Sequence, residues 1–245
     1  AQGDKPATLL SYNYLPLGMQ AVPDPEFFFN NPYVSSHGDV SEDFYSEAKE
    51  LWNEQKEGPS KDTGGRYIWY GNFFPDMRSW NKLSHTKYRG AGGHQVYIMF
   101  PNSSHTTHMS VFPNGTYKKA HRHAPGFFIV IPEGEGFSVM WKEGEEKVFI
   151  PWHEASCFVP PDQWFHQHFN VGAAPARYLA LHPSHTLSVA ERVNIERDQI
   201  EYPDEDPLIR QTFEKELAKR GLTSLMAEGA YKDQNYQWEY AEDKG

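Results

Sequence analysis

The sequence lacks several features that mark large classes of protein. Of its 245 residues only Cys157 is a cysteine, so an intramolecular disulfide and a metal cluster held by several thiolates are both excluded. No apolar run approaches the roughly 20 residues that a membrane-spanning helix needs. Residues 1–6 lack the apolar core of a signal peptide, so we expect a cytoplasmic protein, with a processed start as the alternative.

Positive charge is also scarce. Lysine and arginine together number 23 against 33 aspartate and glutamate residues, which gives a formal net charge of -10. This balance argues against nucleic acid or an anionic membrane surface as a partner, because both would be repelled. We therefore expect a small-molecule substrate. The length suits one domain with extensions.

From residue 94 onward the sequence contains short apolar or alternating runs separated by turn residues. This pattern predicts an all-β sandwich or barrel. A tight hairpin is indicated at Pro113, Asn114 and Gly115. The predicted strands are 95–100, 106–112, 117–123, 127–132, 136–141, 147–150, 156–160, 165–170 and 176–182.

The flanks of this barrel have a different character. Residues 1 to about 40 are rich in proline and aromatic residues without periodicity, which predicts an extended arm. A helix is predicted from Ser41 to about Gln55, because Ser41 suits the N-cap and acidic residues fill the first turn. The predicted division is an N-terminal arm and helix packed on the barrel (1–93), the barrel (94–183) and a C-terminal helical extension (184–245).

A second helix is predicted in the C-terminal extension. Asp206 and Pro207 suit its first turn, and Gly221 suits its end after Arg220. Its apolar residues recur at helical spacing and should face inward. They are Ile209, Phe213 and Leu217.

Four histidines form two His-x-His pairs. His121 and His123 lie in one predicted strand, and His166 and His168 lie in another. Because alternate side chains share one face of a strand, two such pairs on one small sheet can converge. Three neutral imidazoles suit a divalent transition metal and leave positions open for substrate and oxygen. We predict His121, His123 and His166 as the metal ligands.

His168 and Gln163 are the predicted catalytic residues. His168 shares a face with His166, so four roles are open: a fourth ligand, a hydrogen-bond partner, a base near the substrate, or a satisfied interior histidine. Gln163 lies in the turn before the strand and could orient a bound ligand. His105 and His108 fall on opposite faces of one strand, so at most one faces the cavity.

Several cations lie near these motifs. Arg122 stands between two inward histidines and should point outward into a salt bridge. Four others could anchor a carboxylate, but each alone is expected to be a solvated surface charge. They are Arg89, Lys118, Lys119 and Arg177.

The spacing of these residues resembles the two motifs of the cupin family. The first motif is a Gly, five residues, His-x-His, three or four residues, Glu, six residues and Gly. It is matched at Gly115, His121, His123 and Gly134, with Phe127 in place of the glutamate. Without a carboxylate ligand a divalent ion keeps more positive charge and one more vacancy, which suits anionic or chelating substrates.

The second cupin motif runs Pro-x-Gly, two residues, His, three residues and Asn. It is matched at Pro161, His166 and Asn170, with Gln163 for its glycine and Ala155 where a leading glycine would stand. The resemblance covers about the middle third of the chain. It implies a cupin fold, which is a double-stranded β-helix or jelly-roll barrel.

Within the cupins, His121-Arg122-His123 and residues 164–170 look most like the ring-cleaving dioxygenases that act on gentisate and related hydroxylated aromatic acids. This resemblance implies Fe(II) held by three histidines, with Mn(II), Ni(II) or Zn(II) as alternatives. It implies dioxygen as a co-substrate and cleavage of a C–C bond. A homodimer or higher homo-oligomer is also expected. The alternatives are a metal-dependent isomerase or lyase acting on a carbonyl, and a non-catalytic ligand-binding cupin.

Overall fold

The computed structural model describes residues 3–4, 6–33, 49–50, 68–78, 84–85, 89–100, 103, 105–124, 126–182 and 194–238. It divides the chain into two units, Ala1–Asp43 and Phe44–Gly245.

The N-terminal unit contains two short helices where an extended arm was predicted. Helix α1 spans Leu15–Ala21 and helix α2 spans Pro25–Phe29. Each has a proline in its first turn, where the missing N–H costs nothing. The side chain of Asp24 also accepts a hydrogen bond from the Glu26 N–H at 3.0 Å, which caps α2. The prediction of an extended arm was therefore wrong at these two segments.

The helix predicted from Ser41 to about Gln55 lies almost entirely outside the described residues. Its two described residues form strand β1, Lys49–Glu50, which pairs with strand β2, Ile68–Tyr70. The prediction was wrong at these two positions, because their backbone groups belong to a sheet and not to a helical turn.

The described residues form thirteen strands in two sheets. After β1 and β2 they are β3 (Ser84–His85), β4 (His94–Met99), β5 (Thr106–Phe112), β6 (Ala120–His121), β7 (Phe128–Glu133), β8 (Gly136–Trp141), β9 (Val148–Trp152), β10 (Cys157–Phe158), β11 (Phe165–Asn170), β12 (Ala176–His182) and β13 (Gln199–Ile200).

The two sheets have the arrangement of a cupin jelly roll, as predicted. The larger sheet runs β1-β2-β4-β5-β12-β7-β10, with β3 beside β4, and the smaller runs β13-β6-β11-β8-β9. Neighbouring strands are antiparallel except β2 and β4, which are parallel. The predicted strand 117–123 is shorter, since only Ala120–His121 forms ladder pairs. Strands β1 to β3 and β13 extend the sheets beyond the predicted limits of 94 and 183.

The C-terminal extension contains helix α3 (Ile195–Asp198), helix α4 (Pro207–Ala218) and 3-10 turns at Tyr202–Asp204 and Glu228–Tyr231. The predicted start of α4 is confirmed: the Asp206 side chain accepts a hydrogen bond from the Leu208 N–H at 2.9 Å. Its inward residues are also confirmed, since Ile209, Phe213 and Leu217 are buried. Among the described residues, no helix combines the length and apolar character needed to cross a bilayer.

Apolar clusters lie on both sides of the smaller sheet. Inside the barrel, Phe112, Phe127 and Trp152 belong to one buried cluster. On the outer face, Tyr117 and Phe169 pack with Phe213 of α4 in another. The centre of the smaller sheet is therefore covered on both faces, and its strands β8 and β11 carry buried side chains at every position.

Candidate metal centre

The predicted histidine ligands meet at the junction of β6 and β11. These strands pair so that His121 lies opposite His166, and His123 is the second residue after the end of β6. The ring centroids of His166 lie 4.3 Å from His121 and 4.9 Å from His123. One potential ligand atom from each of the three residues lies within 4.8 Å of the others. Residues separated by more than forty positions thus share one site.

Backbone carbonyls fix the orientation of two of these rings. His121 Nδ1 lies 3.2 Å from the Lys119 carbonyl oxygen, and His166 Nδ1 lies 3.1 Å from that of Trp164. A carbonyl oxygen only accepts hydrogen bonds, so each Nδ1 carries the proton. The Nε2 atoms then keep their lone pairs, which is the arrangement of a metal-binding histidine held by its other ring nitrogen.

Burial keeps the imidazoles of His121 and His166 neutral. Desolvation is the main cause that lowers the pKa of both residues well below the usual histidine range. The charge of Arg89 lowers the pKa of His121 further. Neutral imidazoles are the form that binds metal, so these two side chains fit a divalent transition ion.

Phe127 occupies the position at which the cupin motif has glutamate. Its ring stacks on His123, with centroids 4.3 Å apart, and on His182 at 3.8 Å. It therefore fills the space beside the cluster with an apolar ring. Among the described residues, the candidate ligand group consists of the three histidines without a carboxylate.

A second pair of histidines lies on the far side of Phe127. His108 Nδ1 and His182 Nε2 are 2.7 Å apart, and both residues are buried. Desolvation is again the main cause that lowers the pKa of His182, to about 3. His105 is half-buried just before β5, and its Nδ1 lies 3.1 Å from Ser103 Oγ.

His168 lies next to the three-histidine cluster and is not a member of it. Its ring centroid is 5.7 Å from that of His166 and 5.0 Å from that of Tyr178. Its Nδ1 is 2.8 Å from Ser138 Oγ, and this oxygen accepts a hydrogen bond from Trp152 Nε1 at 3.0 Å. Desolvation, followed by the charge of Lys118, lowers the pKa of His168 to about 3.

Gln163 is exposed in the turn that precedes β11. Its N–H donates to the His123 carbonyl oxygen at 3.0 Å. Its φ of 61° and the φ of 66° at Ala155 are both in the left-handed region. Gln163 and Ala155 therefore adopt the conformation of the glycines that they replace in the motif.

Three of the four cations predicted to be surface charges are buried instead, which corrects that expectation. Lys119 and Arg177 are buried because each reaches an acidic partner, Glu201 and Glu133 respectively. Lys118 points into the barrel, where its Nζ contacts Ser110 Oγ and lies 3.3 Å from the Tyr178 hydroxyl.

The fourth cation, Arg89, is half-buried and donates to Gln199 Oε1 at 3.0 Å. Arg122 points outward and pairs with Asp198 at 3.1 Å and Glu143 at 2.8 Å, as predicted.

Ser138, Trp152 and Glu205 were not predicted from sequence. Ser138 is a small polar residue within the otherwise apolar strand β8, and this was the available signal. The contacts of Trp152 and Glu205 depend on strand pairing and on the position of the C-terminal extension, which the local pattern does not specify.

Comparison with known proteins gives matches at the level of architecture. No family model and no curated protein sequence matches this chain. Peruvianin-I, a cysteine peptidase from Thevetia peruviana latex, is 14% identical over 45% of this chain and 71% of its own, with a TM-score of 0.38. Oxalate decarboxylase from Lactobacillus farciminis is 16% identical over 41% of this chain and 31% of its own, with a TM-score of 0.36.

The oxalate decarboxylase from Bacillus subtilis is 10% identical over 46% of this chain and 31% of its own, with a TM-score of 0.37. Another study of that enzyme describes Mn(II) centres in it. The match spans about a third of the length of the two decarboxylases. The three-histidine geometry, and not these distant likenesses, bears on function.

Proposed function

We propose that this chain is a mononuclear non-haem metal dioxygenase that cleaves a C–C bond in a small hydroxylated aromatic, dicarbonyl or carboxylate substrate. Fe(II) is the metal proposed. The observation that carries the proposal is the cluster of His121, His123 and His166, with candidate ligand atoms within 4.8 Å of one another and Phe127 where a carboxylate would stand.

The donor set and its surroundings favour an anionic, chelating substrate. Three neutral imidazoles leave the charge of a divalent ion uncompensated and leave coordination positions for other ligands. The charge of Arg89 also lowers the pKa of His121, and that of Lys118 lowers the pKa of His168. Both positive charges therefore act in the barrel interior, where they would stabilise a phenolate, enolate or carboxylate oxygen.

Aromatic side chains around the cluster suit a planar substrate. Phe127, Tyr178 and Phe158 lie beside the site histidines, with ring centroids 4.3 to 6.0 Å from the nearest of them. Apolar walls of this kind exclude water and suit contact with a flat ring or a conjugated diketone. When bound, a redox-active divalent metal would supply dioxygen activation and polarisation of the chelated substrate.

The stoichiometry of the proposed reaction requires no further reagent. One C–C bond of the substrate breaks, both atoms of dioxygen enter the product, and the substrate supplies the electrons. The protein then has to bind and orient the substrate, hold protons at defined atoms and exclude water.

His168 and Gln163 remain the proposed catalytic contacts. His168 is supported by its buried position beside His166. Gln163 is supported by its place in the turn that binds the His123 carbonyl. For Gln163, a side-chain role predicts that Gln163→Ala raises KM with kcat retained. Unchanged kinetics in that variant would remove the side chain from the site.

The central experiment measures oxygen consumption. Protein purified without oxygen and loaded with Fe(II) is assayed against gentisate, other hydroxylated benzoates and 1,3-diketones, with oxygen uptake and products followed together. We expect uptake with at least one of these substrates, and two heavy oxygen atoms in the product when the gas is ¹⁸O₂. His123→Ala, which removes a proposed ligand, should abolish the uptake. His153→Ala, which changes an exposed histidine, is its matched control.

Two other results would replace the proposal. Full turnover without oxygen would establish the isomerase or lyase alternative, in which the metal polarises a carbonyl. Ligand binding by metal-free protein without turnover under any condition would establish the non-catalytic alternative.

We also propose that the protein is a homodimer or larger homo-oligomer. The N-terminal unit exposes large apolar side chains, including Leu9, Phe29 and Tyr33, which are 67 to 92% accessible in the single chain. Exposed apolar groups of this kind are typical of surfaces that bind another chain. Light scattering coupled to size-exclusion chromatography would test this, and a monomer at micromolar concentration would refute it.

A further inference from the structure

The environment of His168 differs from that of the proposed ligands at a single atom. His121 Nδ1 and His166 Nδ1 each face a backbone carbonyl, whereas His168 Nδ1 faces the hydroxyl of Ser138 at 2.8 Å. A carbonyl can only accept, but a hydroxyl can donate or accept. The protonation pattern of His168 therefore depends on how the Ser138 hydroxyl is used.

Donation from Trp152 and the burial of Ser138 together set the direction of that hydrogen bond. Its indole N–H can only donate, and it donates to Ser138 Oγ at 3.0 Å. Ser138 is completely buried, so its own hydroxyl proton needs an acceptor within the protein. Among the described residues that acceptor is His168 Nδ1. A nitrogen that accepts a hydrogen bond carries no proton, so in the neutral ring the proton is on Nε2.

We infer that Trp152 and Ser138 hold His168 in the Nε2–H form, so that this side chain is a hydrogen-bond donor beside the three-histidine cluster. The ligand class that it serves is an anionic oxygen of the substrate, such as a phenolate, enolate or carboxylate. The assignment of this donor to a substrate rests on the proposed function. The protonation pattern of His168 is independent of the proposed function.

This assignment decides between the roles that were open for His168. A protonated Nε2 has no lone pair, so it can neither bind a metal as a fourth ligand nor take a proton as a base. Nδ1 is occupied by Ser138. The remaining capacity of the ring is one N–H, and no described residue accepts a hydrogen bond from it. A donor that no described residue uses, on a side chain only 3% exposed next to a candidate metal site, is suited to a bound oxygen anion.

Nitrogen NMR of the metal-free protein tests the inference directly. Histidine labelled with ¹⁵N gives different long-range proton correlations for the Nδ1–H and Nε2–H forms. We expect His168 in the Nε2–H form and His121 and His166 in the Nδ1–H form, with His168→Gln identifying the His168 signals by their loss. A wild-type spectrum with His168 as Nδ1–H would overturn the inference.

Variants of the two supporting residues test the cause. Ser138→Ala removes the donor to Nδ1, so we expect His168 to lose its single form and become a mixture or Nδ1–H. Trp152→Phe keeps the aromatic ring and removes the N–H that occupies the Ser138 oxygen, so a smaller shift in the same direction is expected. If His168 stays entirely Nε2–H in the folded Ser138→Ala protein, Ser138 is not the cause.

Metal binding and kinetics separate this inference from the proposed function. Because His168 is not a ligand in this inference, His168→Gln and His168→Leu should both bind Co(II) within about threefold of wild type. The two variants differ in that glutamine places an N–H close to the position of Nε2, whereas leucine has none. A loss of tenfold or more would make His168 a ligand. If turnover is found, we expect His168→Leu to lose about 10²–10³ in kcat, as for one oxyanion donor, and His168→Gln to retain most of it. Equal losses in both variants would overturn the donor role, and absence of turnover would count only against the proposed function.

Discussion

The two faces of strand β11 carry opposite kinds of side chain, and both are buried. His166 and His168 face the barrel interior, while Phe165, Gln167 and Phe169 face the C-terminal extension. On this strand the histidines thus face the barrel interior, and two of the three outward side chains are aromatic. Both faces are covered, unlike those of a sheet with one face toward solvent.

The outer face is held by packing and by one buried carboxylate. Phe169 stacks on Phe137 with centroids 4.4 Å apart and on Tyr117 at 4.6 Å. Gln167 Nε2 and the Tyr117 hydroxyl each donate to Glu205 at 2.6 Å. The two faces therefore differ in role: contacts on the outer face stabilise the strand, and the inner face presents the histidines.

The largest effect on stability is expected from removing a buried aromatic side chain that packs on the outer face. Phe213 is completely buried against Tyr117 and Phe169, so Phe213→Ala should lower the free energy of unfolding by about 3–5 kcal/mol. Urea unfolding followed by circular dichroism measures it. Leu208→Ala, at a half-exposed position on the same helix, is the control and should cost less than about 1 kcal/mol. Similar losses in both variants would mean that α4 does not cover the sheet.

A change on the inner face should affect metal binding more than stability. His121→Ala removes a proposed ligand, and we expect the affinity for Co(II) or Zn(II) to fall by more than about 100-fold, beyond the usual loss for an outer hydrogen-bond partner. The rise in melting temperature on adding metal should disappear with it. Calorimetric titration measures the affinity, with His153→Ala as the exposed control. Unchanged metal content in His121→Ala would exclude this histidine as a ligand.

The carboxylate on the outer face should make stability depend on pH. Burial is the main cause that raises the pKa of Glu205 from 4.5 to about 7. Between these values the folded protein holds a proton that the unfolded chain releases, so stability falls as pH rises from about 4.5 to about 7 and is then level. Glu205→Gln removes this dependence. We expect the variant to gain about 3 kcal/mol relative to wild type between pH 4.5 and pH 8.

Unfolding curves at several pH values test this prediction. Glu146→Gln, which changes an exposed carboxylate in the turn between β8 and β9, should show little relative change. A constant difference between wild type and Glu205→Gln across the range would show that Glu205 does not titrate differently in the folded state.

The comparison also explains what the sequence could predict. Strand β11 was predictable because its turn residues and His-x-His pair are local, and local spacing also placed His166 and His168 on one face. The pairing of Ser138 with His168 was not predictable, because it depends on which strand lies beside β11 and in what register. The burial of Lys118 was not predictable either, because it also depends on which strands lie beside this residue. Charge suggests solvent, and only the neighbouring strands show that this side chain enters the barrel.

The smallest effect concerns the turns, which belong to neither face. Gln163 and Ala155 have φ values of 61° and 66°, and such a conformation costs a residue with a side chain about 1 kcal/mol relative to glycine. Because glycine also makes the unfolded chain more flexible, Gln163→Gly and Ala155→Gly should each raise the free energy of unfolding by only about 0.5 kcal/mol.

Gly144→Ala is the reverse control. Gly144 has a φ of 83°, and no atom lies within 4 Å of an added Cβ, so this change tests backbone strain alone. Urea unfolding measures all three, and a stabilising Gly144→Ala would show that these turns relax freely. Metal affinity should not change in Gln163→Gly, because the N–H that binds the His123 carbonyl is kept.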